Sequence, residues 1–431
     1  MCPEMSLRHV IRWSAFGILA LGIVLTGGAS AFAQSAQNSG SSTTSVGGAP
    51  QFAPTLSLMG SMESNPYRTS DTSTRANLYA AAAELPFQIR SRRWTFDFRY
   101  RPSYRYYRED DTLTSFDHAG SVALRGALSR RTQLDIEGDV YASNELQGLD
   151  ATEIVLPRTR QVRGEFDVQL SQELRRRDSL SFSGRYAQVQ FPEGDLIDSK
   201  VADFGVGYGR ALSARATATL TGGLRWSRFD NGTQARSAAI GAGGRFQLGQ
   251  YTRFDAEAGV LWVQQDLGFG VGFGSAGQPE ITLRVALRHQ MDRVSFDLVA
   301  GRDMGTRSGL GQATLRDRVT GSVGWSNNRF NFLGLAGYAR NSAFESVGSV
   351  TPAVQTISAC GSAAMRVNRI LAIVGSALYA HQVGELVDDR PVTDTFRVAL
   401  GIRLQANGPS LNSASSSYSY SSLLRSARAS C

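Results

Sequence analysis

The stretch Trp94-Thr95-Phe96-Asp97-Phe98-Arg99-Tyr100-Arg101 alternates apolar and polar side chains without a break. Successive side chains of an extended strand point to opposite faces, so this pattern gives one apolar and one polar face. The same period recurs along the chain. Leu134, Ile136 and Val140 oppose Gln133, Asp135, Glu137 and Asp139. Ile281, Leu283, Val285 and Leu287 oppose Thr282, Arg284 and Arg288. Phe396, Val398, Leu400, Ile402 and Leu404 oppose Arg397 and Arg403. Helix-period segments are nearly absent between Phe52 and Gln405, so the fold class is all-β.

The connections alternate in length. Short turns are expected at 90–93, 129–131, 174–178, 212–215, 249–252, 290–293, 327–329 and 367–369, all but 249–252 bearing an arginine. Longer connections fall between them, at 64–73, 107–114, 144–157, 192–198, 231–234, 267–278, 305–311, 345–352 and 383–390. Eight turns and nine loops join about 18 strands (16–20), with both ends on the short-turn side. This rhythm predicts a transmembrane antiparallel up-and-down β-barrel with short periplasmic turns and longer extracellular loops. A soluble sandwich would lack the two-sided alternation. The strand phase is unclear at 74–87, 186–191 and 331–335, where a bulge could hide.

The barrel reading assigns the arginines. With the apolar face outward, the lumen receives Arg99, Arg101, Arg125, Arg163, Arg225, Arg245, Arg284, Arg288, Arg316, Arg318, Arg397 and Arg403. Its acids include Asp97, Asp135, Glu137, Asp139, Glu165, Asp167, Asp255, Glu257 and Asp297. An arginine facing lipid costs about 2–4 kcal/mol at the midplane, so water is its place. The expected solute path is therefore a mildly cationic wall of Arg99, Arg101, Arg125, Arg225, Arg245, Arg284, Arg316, Arg397 and Arg403. A self-neutralising arginine–carboxylate ladder that only stiffens the wall is the competing reading. On the lipid face Trp94, Trp226, Trp262 and Trp325 are expected in aromatic girdles, where rings meet headgroups.

The chain has 431 residues, 42% hydrophobic and 19% charged, a composition too apolar for a disordered chain. A basic n-region, an apolar run from Ala15 to Leu25 and Ala31-Phe32-Ala33 make residues 1–33 a cleavable export signal. Its removal takes two arginines and one glutamate from the +8 total, leaving +7. Residues 34–52 read as a flexible linker, 53–405 as the barrel and 406–431 as a Ser-rich disordered tail. Lys200 is the one lysine among 45 basic residues. Nucleic acid is a poor partner for this charge, because no basic helix or stacking platform accompanies it. Outer-membrane lipids are the expected surroundings, in a Gram-negative outer membrane. Arginines in the short turns, such as Arg92, Arg130 and Arg176, are either solvated or meet anionic lipid or a periplasmic partner.

Chemistry is sparse. Gly272-Phe273-Gly274-Ser275-Ala276-Gly277 fits a dinucleotide fingerprint but lacks the strand–helix context that fingerprint needs. His118, beside Asp117 and Ser115, is the one position where a hydrolase site is conceivable, and an exposed rim histidine is the plainer reading. No histidine or cysteine has metal-ligand spacing. Cys360, in line with Thr356, Ser358 and Ser362, is expected as a lone luminal thiol, a bridge to Cys431 being the other option. No catalytic residue, metal or cofactor is expected, and the chain is not read as an enzyme.

Two segments carry a resemblance. Leu56-Ser57-Leu58 with Glu63-Ser64-Asn65-Pro66-Tyr67-Arg68-Thr69, and Phe96 to Tyr107 with Ser115-Phe116-Asp117-His118, resemble the outer-membrane β-barrel porins found with exopolysaccharide synthesis and export systems. The resemblance is motif-like only over the first quarter of the chain. It implies a barrel of this size passing a secreted polysaccharide, with periplasmic export components as partners. The alternative is a general diffusion porin for small hydrophilic or anionic solutes. An outer-membrane hydrolase is the third expectation.

Overall fold

The computed structural model describes residues 51–406 except 69–73, 145–157, 194–195, 267–278, 308–311, 344–352 and 387–389. The export signal, most of the linker, the Ser-rich tail, the Gly272–Gly277 motif and several acidic loop residues, Asp150, Glu153, Asp195, Asp388 and Asp389 among them, lie outside the described residues.

Eighteen long strands follow one another around a single sheet. They are β1 (Thr55–Ser64), β2 (Arg75–Arg90), β3 (Trp94–Tyr107), β4 (Ser115–Ala127), β5 (Thr132–Ser143) and β6 (Gln161–Arg175). Next come β7 (Asp178–Gln190), β8 (Ser199–Ala211), β9 (Ala216–Phe229), β10 (Gln234–Gln247), β11 (Thr252–Asp266) and β12 (Glu280–Gln290). The last are β13 (Val294–Arg307), β14 (Gln312–Ser326), β15 (Phe330–Ala343), β16 (Val354–Arg366), β17 (Leu371–Leu386) and β18 (Arg390–Gln405). Every neighbouring pair is antiparallel. β18 closes on β1, with Leu404 opposite Leu56 and Arg397 opposite Glu63. A two-residue strand, Gln51–Phe52, carries the line of β1 further along β2. The ladder lapses at Ala53-Pro54, where proline has no N–H to donate.

Closure removes the open sheet edges that hydrocarbon cannot tolerate. The short turns are built by local side chains. Asn327 Oδ1 accepts the backbone N–H groups of Arg329 and Phe330 at 2.8 and 2.7 Å. Asn368 does the same for Ile370 and Leu371 at 2.8 Å each. Ser129 and Ser213 accept from Arg131 and Arg215 at 3.1 Å. Asparagine and serine stabilise tight turns in this way, and Arg131, Arg215, Arg329 and Arg369 in these turns are exposed to solvent.

The cross-strand register fixes which residues share a face. Leu56, Phe98, Phe166, Leu220, Ile240, Leu283, Leu298, Val323, Ile357 and Leu400 all point outward and are exposed. Trp226, Trp262 and Trp325 stand on this face with 44%, 46% and 41% exposure. Trp94 lies on it too, opposite Gly126. Exposure of so many large apolar groups is untenable in water and is what a lipid-facing belt requires. The chain is therefore a closed transmembrane barrel.

No bulge occurs at the three places where the phase is unclear in sequence. β2 and β3 keep one register from Leu78–Tyr107 to Arg90–Thr95. The alternation is blurred there because inward positions are also apolar. Ala76, Leu78, Tyr107 and Leu113 form a small buried cluster inside the wall. The irregularities fall elsewhere, between Glu173 and Arg175 and between Val383 and Leu386.

Candidate functional site

The inward face is the site. Arg99, Arg101, Arg125, Arg225, Arg245, Arg284, Arg316, Arg397 and Arg403 all occupy inward positions by register. Most meet a carboxylate. Arg99 reaches Glu84 at 2.9 Å, Arg245 and Arg253 both reach Asp255 at 2.9 Å, and Arg185 reaches Glu165 at 2.8 Å. Arg316 and Arg318 share Asp303 at 3.0 and 3.1 Å, and Arg225 grips Asp203. Arg125 stands opposite Asp135, and Arg284 opposite Glu257. The wall is thus an alternating ion-pair lattice more than the mildly cationic surface expected from sequence. Partners sit on neighbouring strands, except Arg253 and Asp255, which share β11, and the aromatic and aliphatic rows point away from them. Near the turn end, Arg101 and Arg403 share a polar niche with Glu84, Thr55 and Ser57. Two guanidiniums there face one carboxylate that Arg99 also uses.

At the loop end the lumen is narrowed by two segments. Arg158, from the connection between β5 and β6, lies with its guanidinium at Glu63, whose two carboxylate oxygens accept at 3.1 and 3.2 Å. Glu63 is on the inward face of β1 and fully buried. It also accepts from Arg397 at 3.0 Å and from the Tyr107 hydroxyl at 3.0 Å. The Arg158 guanidinium stacks over the Tyr107 ring at 4.9 Å. β1 and β6 are five strand steps apart, roughly 24 Å along the wall. Arg158 reaches β1 only by leaving the wall and entering the mouth of the barrel.

The second segment is the outer part of the β13–β14 hairpin. Pairing of β12 with β13 ends at Leu283–Arg302, while β13 and β14 stay paired to Arg307–Gln312. Beyond Arg302 the hairpin leans inward. Met304 and Ala313 pack on Ala235, Leu261 and Val263, inward residues of β10 and β11. Arg225 on β9 donates to the Met304 carbonyl at 2.6 Å. Neither contact is visible in sequence, because 95 and 79 positions separate the partners.

The hydrolase expectation does not survive the register. His118 faces outward, where its Nδ1 meets the Tyr100 hydroxyl at 2.7 Å and its ring meets Phe116 edge-on at 4.6 Å. Asp117 and Ser115 face the other way, and Asp117 pairs with Arg105 at 3.3 Å. Side chains that alternate across a strand cannot converge on one substrate. His381 meets Asp394 at 2.6 Å on the outward face, and His289 meets Thr252 at 2.8 Å. Among the described residues no group of three metal-ligating side chains forms. Cys360 faces inward as expected but is disulfide-bonded, not a free thiol. The other two cysteines of the chain, Cys2 and Cys431, lie outside the described residues.

The segments that carried the polysaccharide-export resemblance have structural work instead. Glu63 anchors Arg158. Asn65 turns the chain with φ of 51° and donates to the Asp394 carbonyl at 3.1 Å. Tyr104 and Tyr106 point outward, away from anything passing through the lumen.

No known family model matches the chain, and no curated protein matches it. Solved structures do resemble it. Pseudomonas aeruginosa OpdL is 10% identical, with 83% of this chain and 99% of that chain covered and a TM-score of 0.40. Pseudomonas aeruginosa OccK2 (OpdF), solved in complex with glucuronate, is 9% identical, with 83% and 98% covered and a TM-score of 0.43. Acinetobacter baumannii OccAB3 is 10% identical, with 83% and 99% covered and a TM-score of 0.41. The barrel itself stands on its own strand register.

Proposed function

We propose that the chain is an outer-membrane channel for passive diffusion of small hydrophilic solutes, with a preference for anions. The observation that carries this reading is the narrowing of an ion-paired lumen by Arg158 and by the β13–β14 hairpin. A lumen lined by charge keeps water and polar solutes inside. Segments folded into its mouth restrict the size of what passes, which suits small molecules better than a polymer strand. Arg101 and Arg403, with one shared carboxylate nearby, supply the anion preference. A guanidinium fork binds a carboxylate or phosphate bidentately.

Purified protein in liposomes under an osmotic gradient tests the reading. Entry of monosaccharide-sized solutes with exclusion of long glucans supports it. Equal passage of long glucans returns the polysaccharide conduit as the better account. In a salt gradient, the reversal potential of the wild type should report anion preference. The pair Arg101→Gln and Arg403→Gln should move it towards the cation side.

A further inference from the structure

We infer that the outward face of β8–β10 carries a binding site for the phosphate groups of an outer-leaflet glycolipid. Lys200, Arg228 and Arg236 lie on the lipid-facing side of three adjacent strands, all exposed. Arg228 is directly opposite Lys200, and Arg236 is directly opposite Trp226 and diagonal to Arg228. Cross-strand neighbours of this kind sit about 5–8 Å apart, and like charges placed opposite one another destabilise a sheet. No described carboxylate pairs with any of the three. On the outward face Arg302 lies 3.5 Å from Asp317 and Arg210 4.0 Å from Asp178. Asp266 is the outward carboxylate diagonal to Arg236, so three clustered cations stand beside one acid and leave room for an anion from outside the chain.

Position selects the anion. Trp226 marks the girdle level, and the trio lies at that level or one residue pair towards the loops. Headgroups occupy this depth. Exposed amides continue the patch, Gln234 opposite Arg228 and Gln264 opposite Arg236, and can donate to sugar hydroxyls or phosphate oxygens. Two arginines and a lysine around one point suit a phosphate, which takes a guanidinium fork and an ammonium together. The assignment rests on the outer-membrane reading above, which puts the longer loops outside and hence an anionic glycolipid beside this patch.

Lys200 is the only lysine, so its acylation is a clean reporter. The full chain in neutral detergent is treated with an amine-acylating reagent, alone or with bisphosphorylated lipid A, dephosphorylated lipid A or inorganic phosphate. Mass spectrometry then measures modification at Lys200. Bisphosphorylated lipid A should slow the reaction by roughly tenfold or more. The dephosphorylated lipid and inorganic phosphate should not, which separates a lipid site from a free-phosphate site. Arg228→Gln with Arg236→Gln should abolish the protection, while Arg210→Gln should keep it. Heat-dependent gel mobility shows that each variant is folded. Equal protection by the dephosphorylated lipid, or full protection in the double variant, overturns the inference. Orientation is read separately, by cleavage of a protease site placed in the 267–278 connection on intact cells. Periplasmic-only cleavage would overturn the outer-leaflet assignment, even with Lys200 protected by the phosphorylated lipid.

Discussion

Glu63 shows at the scale of a single residue how the mouth is held. A fully buried carboxylate is tolerable because two guanidiniums and a phenol surround it. Losing one side of a buried ion pair costs about 3–5 kcal/mol, because the other side is left unmatched. Glu63→Gln keeps the shape and removes the charge. It should lower the temperature at which the folded gel band is lost, and it should raise single-channel conductance as Arg158 is released. Unchanged conductance would mean that Arg158 does not narrow the path. A second tie, outside the spanning segments, is set by pH. The Tyr67 hydroxyl donates to Asp110, and Asn77 donates its backbone and side-chain N–H groups to Glu109 at 2.7 and 2.6 Å. The Tyr67 hydrogen bond holds Asp110 below the usual carboxylate range, and the Asn77 backbone donor does the same for Glu109. Depressed folded values mean that this stabilisation is complete above about pH 4 and lost as pH falls through them. The Asn77 amide resonance should titrate with a midpoint below the ordinary glutamate value. A midpoint at or above the ordinary glutamate value would contradict the assignment. Tyr67 is pushed up by the same bond, so its contribution holds at neutral pH and fades only in strong base.

Strands are the scale at which the wall closes and bends. At the seam of β18 and β1, a Cβ added to Gly401 would lie 2.2 Å from the Leu58 carbonyl and 2.9 Å from the Met59 Cα. Backbone cannot yield as a flexible side chain can. Gly401→Val should therefore cost about 1–3 kcal/mol and show as slower refolding into vesicles with more open, heat-sensitive barrel. Refolding like the wild type would show that the seam has slack. On β9 the two faces predict opposite outcomes for one substitution. Leu220 is outward and 51% exposed, so Leu220→Arg should cost about 2–4 kcal/mol at the midplane. Thr221→Arg, one residue on and facing the lumen, should be far milder. Folding free energies in lipid vesicles distinguish the two. Strand faces were legible in sequence wherever only one face is apolar, as in β18. They were obscured in β2 and β15, where Leu78, Leu333 and Leu335 put apolar groups on the inner face as well. Several of the turns were legible because Asn or Ser close to Arg marks them locally, as at Ser129, Ser213, Asn327 and Asn368. The inward lean beyond Arg302 was not, since a local pattern of alternation continues through Arg307 whether or not the strand stays in the wall.

At the scale of the whole molecule, the architecture follows from a single repeated decision, apolar out and polar in, made along eighteen strands. That decision was readable from composition and period, and it gives many of the 44 arginines of a +8 chain a place on the inner wall. The charge balance of the lumen was only half readable. The inward arginines follow from the strand period, but their pairing with Asp203, Asp255 and Asp303 depends on neighbouring strands, so the wall is more neutral than the arginine count suggests. The mouth was unreadable, because Glu63–Arg158 and Arg225–Met304 are contacts between distant strands. The direct test of the two-faced wall is a residue-by-residue scan of β9. Single spin labels placed from Leu220 to Trp226 in vesicles report collisions with oxygen and with a water-soluble nickel chelate. The account predicts that Leu220, Gly222, Leu224 and Trp226 favour oxygen, while Thr221, Gly223 and Arg225 favour the chelate. A scan without a two-residue period, or with the two sets exchanged, would contradict the transmembrane barrel described here.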